Sequence, residues 1–432
     1  MAINPFQGLP RPRAVFSWGM YDLANQSFQL LINTLLFPLY VRNVIALDTA
    51  SGDSAWSTMT TGGLVGVMVL APLIGALADA RAWKRELLLG TGFASIALML
   101  VLPFLGPGSL ALAIPLYITT AILVGLGETF LGSFLPQLST PQTVGRVSAI
   151  GWTMSYIGAL GLLGIAALAV FQFGLDQPSE WRWLFVLAAI WFLLGMLPSI
   201  FHLREETTPT ARANPLQAVG QTFQRLGATI RSHRRHRQLF RFLVAFGVYS
   251  MGTLTVIFYA GIIGEERGFD IGMLIVMALV MTLTAGVGAV LAAKYQDRLG
   301  HRRTITLFLL AWIASTVALG LLAITNASTL IFFAISAGIG LGLGGIGTAS
   351  RAMVGAFTPD AKAAEFFGLW GMVYRLGGAL GVMTFGILKR PTILGDAYAL
   401  FVITLFFLVG LGLLMRVNEK AGMLEAGQPE RA

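Results

Sequence analysis

A chain of 432 residues that is 56 % hydrophobic and only 11 % charged carries too little charge to cover the surface of a water-soluble fold of that length. Together with a mean hydropathy of +0.76, this composition predicts an integral membrane protein. The absence of cysteine excludes a disulfide framework and a thiolate metal site. The net charge of +9 does not indicate nucleic acid, because the basic residues sit between apolar runs rather than on one soluble face.

Apolar runs of about 20 residues, long enough to cross a bilayer as helices, lie near 15–41, 57–79, 87–106, 111–135, 147–171, 182–203, 241–263, 272–294, 304–324, 328–350, 366–388 and 395–416. The first run is too long for a signal-peptide core and no small-residue cleavage site follows it, so it is expected to stay in the mature protein. Its stretch WGMYDLANQSFQLLINTLLFPLYV (18–41) is polar where lipid would not tolerate it. At about 100° per residue, Asp22, Gln26, Gln29 and Asn33 fall within about 60° of one another, with Asn25 beside them. Such a stripe either lines a hydrated cavity or holds helices together, and five polar groups are more than the second role requires.

Further along, GALADARAWKR (75–85) closes the second run, and VGLGETFLGSF places Glu128 on the cytoplasmic side of the fourth run's midpoint. Residues 204–241 are the longest polar stretch and divide the runs six and six. Their RSHRRHR cluster reads as a cytoplasmic connector, or as a site for a lipid headgroup or partner. In the seventh run Tyr249 and Thr253 are expected to face the stripe of the first. AKYQDRLGHRR (293–303) ends the eighth run, and GIGLGLGGIG (338–347) in the tenth is a close-packing helix rather than a phosphate loop. Arg351, nearer the cytoplasmic end of the tenth run, suits a gate or a structural pair, and Arg375 lies near the middle of the eleventh.

With the amino terminus inside, 23 of the 29 basic residues are cytoplasmic; Arg42, Arg182, Arg267, Lys389 and Arg390 lie opposite, and Arg375 falls within a helix. Both termini are therefore expected in the cytoplasm. Of the twenty acidic residues, only Asp22 and Glu128 lie clearly within runs. A charge at a helix centre costs about 2.5–3.5 kcal/mol on insertion scales, so each is read first as functional. Mostly apolar sequence neighbours favour the neutral form of Glu128, which suits a proton-coupling carboxyl; a fixed salt bridge or a locally hydrated structural residue are the alternatives. Asp22, among amides, is the second candidate for coupling. The Arg375 guanidinium can hold two oxygens of a substrate carboxylate or phosphate, or pair with Asp22 or Glu128. His202, His233, His236 and His301 sit at or beyond cytoplasmic ends, which argues against a histidine relay.

The halves repeat. Asp79, Lys84 and Arg85 align with Asp297, Arg302 and Arg303 at an offset of 218, as does Thr140-Pro141 with Thr358-Pro359. At 220, Gly151, Gly158 and Gly161 align with Gly371, Gly378 and Gly381, and Ser155 with Arg375. A parallel repeat of six helices about an axis along the membrane normal is the architecture of the major facilitator superfamily. GALADARAWKR and QDRLGHRR resemble the two copies of that superfamily's loop motif, G-x-L-x-D-R-x-G-R-K. The resemblance implies that Asp79, Arg81, Lys84, Arg85, Asp297, Arg298, Arg302 and Arg303 latch the two halves on the cytoplasmic side, with Ala80 standing where the motif has arginine. Trp18, Tyr21, Asp22, Ala24, Asn25, Phe28, Phe37, Pro38 and Tyr40, together with SRAMVGAFTPDAKAAEFFGLWG (350–371), are similar to the fungal vacuolar amino-acid effluxer family and its bacterial relatives. The fungal members export amino acids from the vacuole.

The expected fold is thus all-α and membrane-integral: twelve transmembrane helices in two pseudo-symmetric six-helix bundles, 1–203 and 241–432, joined by the connector 204–240. The expected function is secondary transport of a small polar or zwitterionic, amino-acid-like solute by alternating access, coupled to a proton or another ion. It would act as a monomer among the lipids of a bacterial inner membrane, with no cofactor, no metal and no nucleic-acid partner. Transport of a lipid, amphiphile or drug on the same fold is the main alternative. A non-transporting sensor or a membrane enzyme is the alternative from another class, and no clustered metal set or Ser–His pairing supports the enzyme.

Overall fold

The second span begins where Asp48 leaves the extended conformation and its side chain accepts from Ser51 N at 2.8 Å, an N-cap that satisfies one orphan amide. It runs over Thr49–Arg81 and stops at Ala82, whose φ of 54° and ψ of 47° are left-handed. Comparable starts and stops recur through the computed structural model, which describes residues 6–140, 143–175, 177–205, 215–324, 329–359, 362–390, 393 and 395–427. Every regular element among them is helical. Among the described residues eleven helices are long and apolar enough to cross a membrane, and a twelfth is reached by Tyr398–Leu414, which bends by 65° into the short helix Glu419–Glu425. Outward-facing side chains such as Leu168 (63 % exposed) and Val290 (65 %) offer apolar surface suited to lipid.

The first six spans are Pro12–Ile45, Thr49–Arg81, Lys84–Val101, Leu110–Ser133, Val144–Phe173 and Arg182–His202. The last six are Arg237–Glu265, Ile271–Leu299, His301–Ile324, Thr329–Ala356, Ala363–Leu388 and Gly395–Leu414. A connector helix, Pro215–Arg231, lies between the two sets. Compact packing divides the chain differently from the expected boundaries. One unit is Met1–Thr222 with Ala260–Val276, and the other is Phe223–Tyr259 with Met277–Ala432. The seventh span therefore changes unit at Tyr259.

The aligned glycines mark close helix crossings in both units. In the first, Gly151 and Gly158 of the fifth span leave room for Trp18 and Leu23 of the first. In the second, Gly378 accommodates Leu254, and Gly377 and Gly381 meet the backbone of Gly247 and Met251 in the seventh span. Without hydrophobic drive between helices in lipid, such small residues let dispersion hold the bundle together.

The loop motif is anchored within its own unit each time. Arg85 donates from Nε to Leu203 O at 2.8 Å and from Nη2 to Ile200 O at 2.7 Å, while Glu205 accepts from Lys84 N at 2.8 Å. In the second copy Arg302 Nη1 donates to Val417 O at 3.0 Å, and Glu419 accepts from His301 N at 2.7 Å and Arg302 N at 3.0 Å. A carboxylate from beyond the last span of each unit thus sits on the positive amino end of its third span. Arg81 lies over the Trp83 ring, and Arg298, Arg303 and Asp297 are exposed. The Asp79 side chain, Pro141, Arg212 and Arg431 lie outside the described residues.

Gly300, at the position equivalent to Ala82, takes the same left-handed turn with φ 86°. The left-handed conformation costs a non-glycine residue about 1–2 kcal/mol. Ala82→Gly is therefore expected to stabilise the protein by about 1 kcal/mol after the extra chain entropy that glycine loses. The melting temperature in detergent checks this, and a decrease would contradict it.

Candidate functional site

The first span is α-helical over Pro12–Gln26 and then widens into a π-helix over Ser27–Leu36. At the carboxyl end of this segment Pro38 has no N–H for the carbonyl of Thr34, and its ring crowds that carbonyl. The chain answers with i to i−5 bonding, as in Phe37 N to Ile32 O and Thr34 Oγ1 to Gln29 O (2.8 Å). In the widened segment, residues four apart stack more nearly above one another than in an α-helix. Asn25, Gln29 and Asn33 accordingly form one line.

That line meets Glu128 of the fourth span. Asn25 Nδ2 and Gln29 Nε2 both donate to Glu128 Oε1, at 2.6 and 2.8 Å. Asn33 Nδ2 donates to Gln29 Oε1 at 3.3 Å, and the Tyr117 hydroxyl donates to Asn33 Oδ1. Asn25 is 1 % and Asn33 4 % exposed, while Glu128 and Gln29 are half-buried. Both amides converge on one oxygen, which can accept them as a carboxylate oxygen or, more weakly, as the carbonyl of the acid, and Oε2 takes part in neither bond. Asn25 Oδ1, buried beside this cluster, has no hydrogen-bond partner among the described residues and is a place to stabilise a water or a solute donor.

Gln26 points to a different neighbour. Its Nε2 donates to Ser155 Oγ of the fifth span at 2.7 Å, and Ser155 Oγ is 3.4 Å from the backbone oxygen of the half-buried Asp22. The described amides of the stripe are thus bonded inside the first unit, so helix-holding and site-building are the same interactions.

In the second unit Tyr249 and Thr253 are buried. Tyr249 is 1 % exposed with its hydroxyl 2.7 Å from Ser350 Oγ, and Thr253 is 4 % exposed with its hydroxyl donating to Tyr249 O at 3.2 Å. The physical reason is the glycine-mediated approach of the eleventh and twelfth spans, where Gly377 meets Gly247 and Gly410 lies against Tyr249. Arg351 is half-buried with its guanidinium 5.8 Å from the Trp370 ring centroid. Arg375 is half-buried in the eleventh span, its guanidinium over Gly371, which has no side chain to obstruct it. Among the described residues it makes no hydrogen bond or ion pair. Phe246, Trp370 and Tyr374 pack together, with the Trp370 and Tyr374 ring centroids 5.3 and 5.8 Å from Phe246. Where the first unit has Ser155 bonded to Gln26, the second has a cation without an ion pair or hydrogen bond among the described residues.

One charged cluster was not visible in the sequence. Arg42, at the far end of the first span, contacts Glu266 at 2.9 Å, Glu265 at 3.2 Å and Asp53 at 3.5 Å, and Asn43 also donates to Glu265. Gly261 meets the backbone of Thr34 and Leu35 nearby. These contacts hold Ala260–Val276 in the first unit.

Residues 63–427 match the family model described as vacuole effluxer Atg22 like. The chain is 25 % identical over 414 residues to the MFS-type transporter YxiO of Bacillus subtilis, covering 94 % of each. It is 26 % identical over 265 residues to autophagy-related protein 22-1 of Emericella nidulans, where the match covers 56 % of this chain and 45 % of that protein. Among solved structures, a D-xylose–proton symporter superposes with a TM-score of 0.73 at 14 % identity, covering 93 % of this chain and 96 % of the other. The nucleoside transporter NupG gives 0.69 at 12 %, covering 94 % and 98 %. At such identities the likeness is one of fold.

Proposed function

Since the chain belongs to the Atg22-like vacuole effluxer family and is a membrane transporter of the major facilitator type, not an enzyme, we propose that it carries a small carboxylate-bearing, amino-acid-like solute by proton-coupled alternating access. The observation that carries this reading is Arg375: a guanidinium within the eleventh span, without a protein partner among the described residues. An unmatched charge at that depth is costly, and a solute carboxylate that its fork can hold by two bonds offsets the cost. The half-buried Glu128, whose Oε2 can exchange a proton while Oε1 stays bonded, supplies the coupling group. The amino-acid class is supported by the resemblance of the first span and of 350–371 to the effluxer family. The bacterial relative supports a cytoplasmic-membrane location, and the 23-to-5 basic split supports cytoplasmic termini.

The test is ligand-induced stabilisation of the purified protein. A ligand at a hundred times its dissociation constant adds about 2.7 kcal/mol to the folded state. Amino acids of at least one side-chain class should raise the melting temperature, and their decarboxylated amines should not. Stabilisation by amphiphiles alone, with none by any carboxylate-bearing solute, would replace this reading with an amphiphile transporter.

A further inference from the structure

A groove of about 610 Å³ lies on the surface of the first unit, formed by residues apart from the Glu128 cluster. That volume is within the range of small-molecule sites, about 300–1,000 Å³. Its walls include Phe6, Phe16, Leu197 and Phe201, and Arg13 and His202 also line it. Phe6 packs edge-on against Phe16 at 5.9 Å. Phe16 is 43 % and Phe201 68 % exposed, so the apolar wall is open to its surroundings. The exposed Arg13 guanidinium has no partner among the described residues. His202 Nδ1 is 3.1 Å from Pro198 O; donation there leaves Nε2 available.

The positions of these groups along the membrane normal follow from topology. Six antiparallel spans bring the start of the first and the end of the sixth to the same face of the bilayer. Arg13, His202 and the exposed Arg204 therefore sit at one interface. Phe16 and Leu197 lie about one turn deeper on their own helices. Two arginines and a histidine donor above an apolar, partly aromatic trough match an amphiphile with an anionic head and an acyl tail. Positive-inside topology explains the cations, but it does not require the groove beneath them. We infer that this groove is a binding site for an anionic phospholipid, with the phosphate at Arg13 and His202 and one acyl chain along Phe16, Leu197 and Phe201. The site is separate from the proposed solute path, so its test stands or falls independently of the transport reading.

The full-length protein in detergent is titrated with phosphatidylglycerol, phosphatidylcholine or inorganic phosphate, and bound species are resolved by native mass spectrometry. Phosphatidylglycerol should fill one saturable site ahead of phosphatidylcholine, and excess phosphate should not displace it. Arg13→Gln should weaken phosphatidylglycerol about fivefold, the worth of one basic residue at an anionic surface. Phe201→Ser should weaken it about tenfold through lost apolar contact. Both side chains are exposed, so each variant should keep the parent's melting temperature without lipid. Equal binding of the two lipids with no effect of Arg13→Gln would overturn the proposal. Displacement by phosphate would also overturn it, because it would mark a site for a free anion rather than a lipid.

Discussion

Arg375→Ala should weaken solute binding by roughly a hundredfold, about 3 kcal/mol, while leaving the empty protein as stable as before or more so. A hydrogen bond to a charged group contributes about 1.5–3 kcal/mol, and the guanidinium fork offers two to a carboxylate. The empty protein gives this side chain no ion pair or hydrogen bond among the described residues, so truncation breaks none of those contacts. It also removes a charge that costs about 2.5–3.5 kcal/mol at a helix centre. Arg375→Lys should recover the charge but not the fork, and remain about tenfold weaker than the parent. Equilibrium binding and thermal melting measured on the same preparations separate these effects. A large loss of stability in the solute-free Ala variant would show instead that Arg375 is a structural cation.

The second large effect is expected at Glu128. In Glu128→Gln the amide oxygen can still accept from Asn25 and Gln29, so the cluster's geometry should persist and the melting temperature should change little. Glu128→Leu leaves both amide donors unsatisfied, at about 1–3 kcal/mol each, and should melt clearly lower. The two variants should nonetheless share one transport defect. Neither can release a proton, so both should lose accumulation against a gradient. The Gln variant, with its site intact, should keep exchange of solute for solute.

Much of this was readable from the residues in order. Apolar length gave the spans, the long polar stretch 204–241 gave the six-plus-six division, and the offset repeat picked out Ser155 and Arg375 as equivalents. The partners were not readable. A uniform 100° periodicity set Asn25 at the edge of the stripe, but widening of the helix after Gln26 puts it in line with Gln29 and Asn33. Gln26 turns instead to Ser155. The Pro38 that lies within this span was a legible cue to irregular bonding, though not to its register. Glu205 and Glu419 occupy equivalent places after the sixth and twelfth spans, yet their roles depend on amides more than a hundred residues away in sequence. Arg42 reads as a loop charge until Asp53, Glu265 and Glu266 close around it. That tertiary cluster, together with Gly261 against Thr34, is why the end of the seventh span leaves its expected half. Tyr249 and Thr253 were placed by helix number alone, which specifies the span but not which face the glycine crossings bury.

The most direct test of a proton-coupled carrier is to follow internal pH and labelled solute together in proteoliposomes that hold the parent protein or Glu128→Gln. A carboxylate-bearing solute found by thermal stabilisation would supply the only imposed gradient, with sodium absent. Solute flux through the parent should move protons and change the internal pH in step with it. The Gln variant should exchange labelled for unlabelled solute with no pH change. Solute flux through the parent with the internal pH constant, or uphill accumulation by the Gln variant, would contradict it.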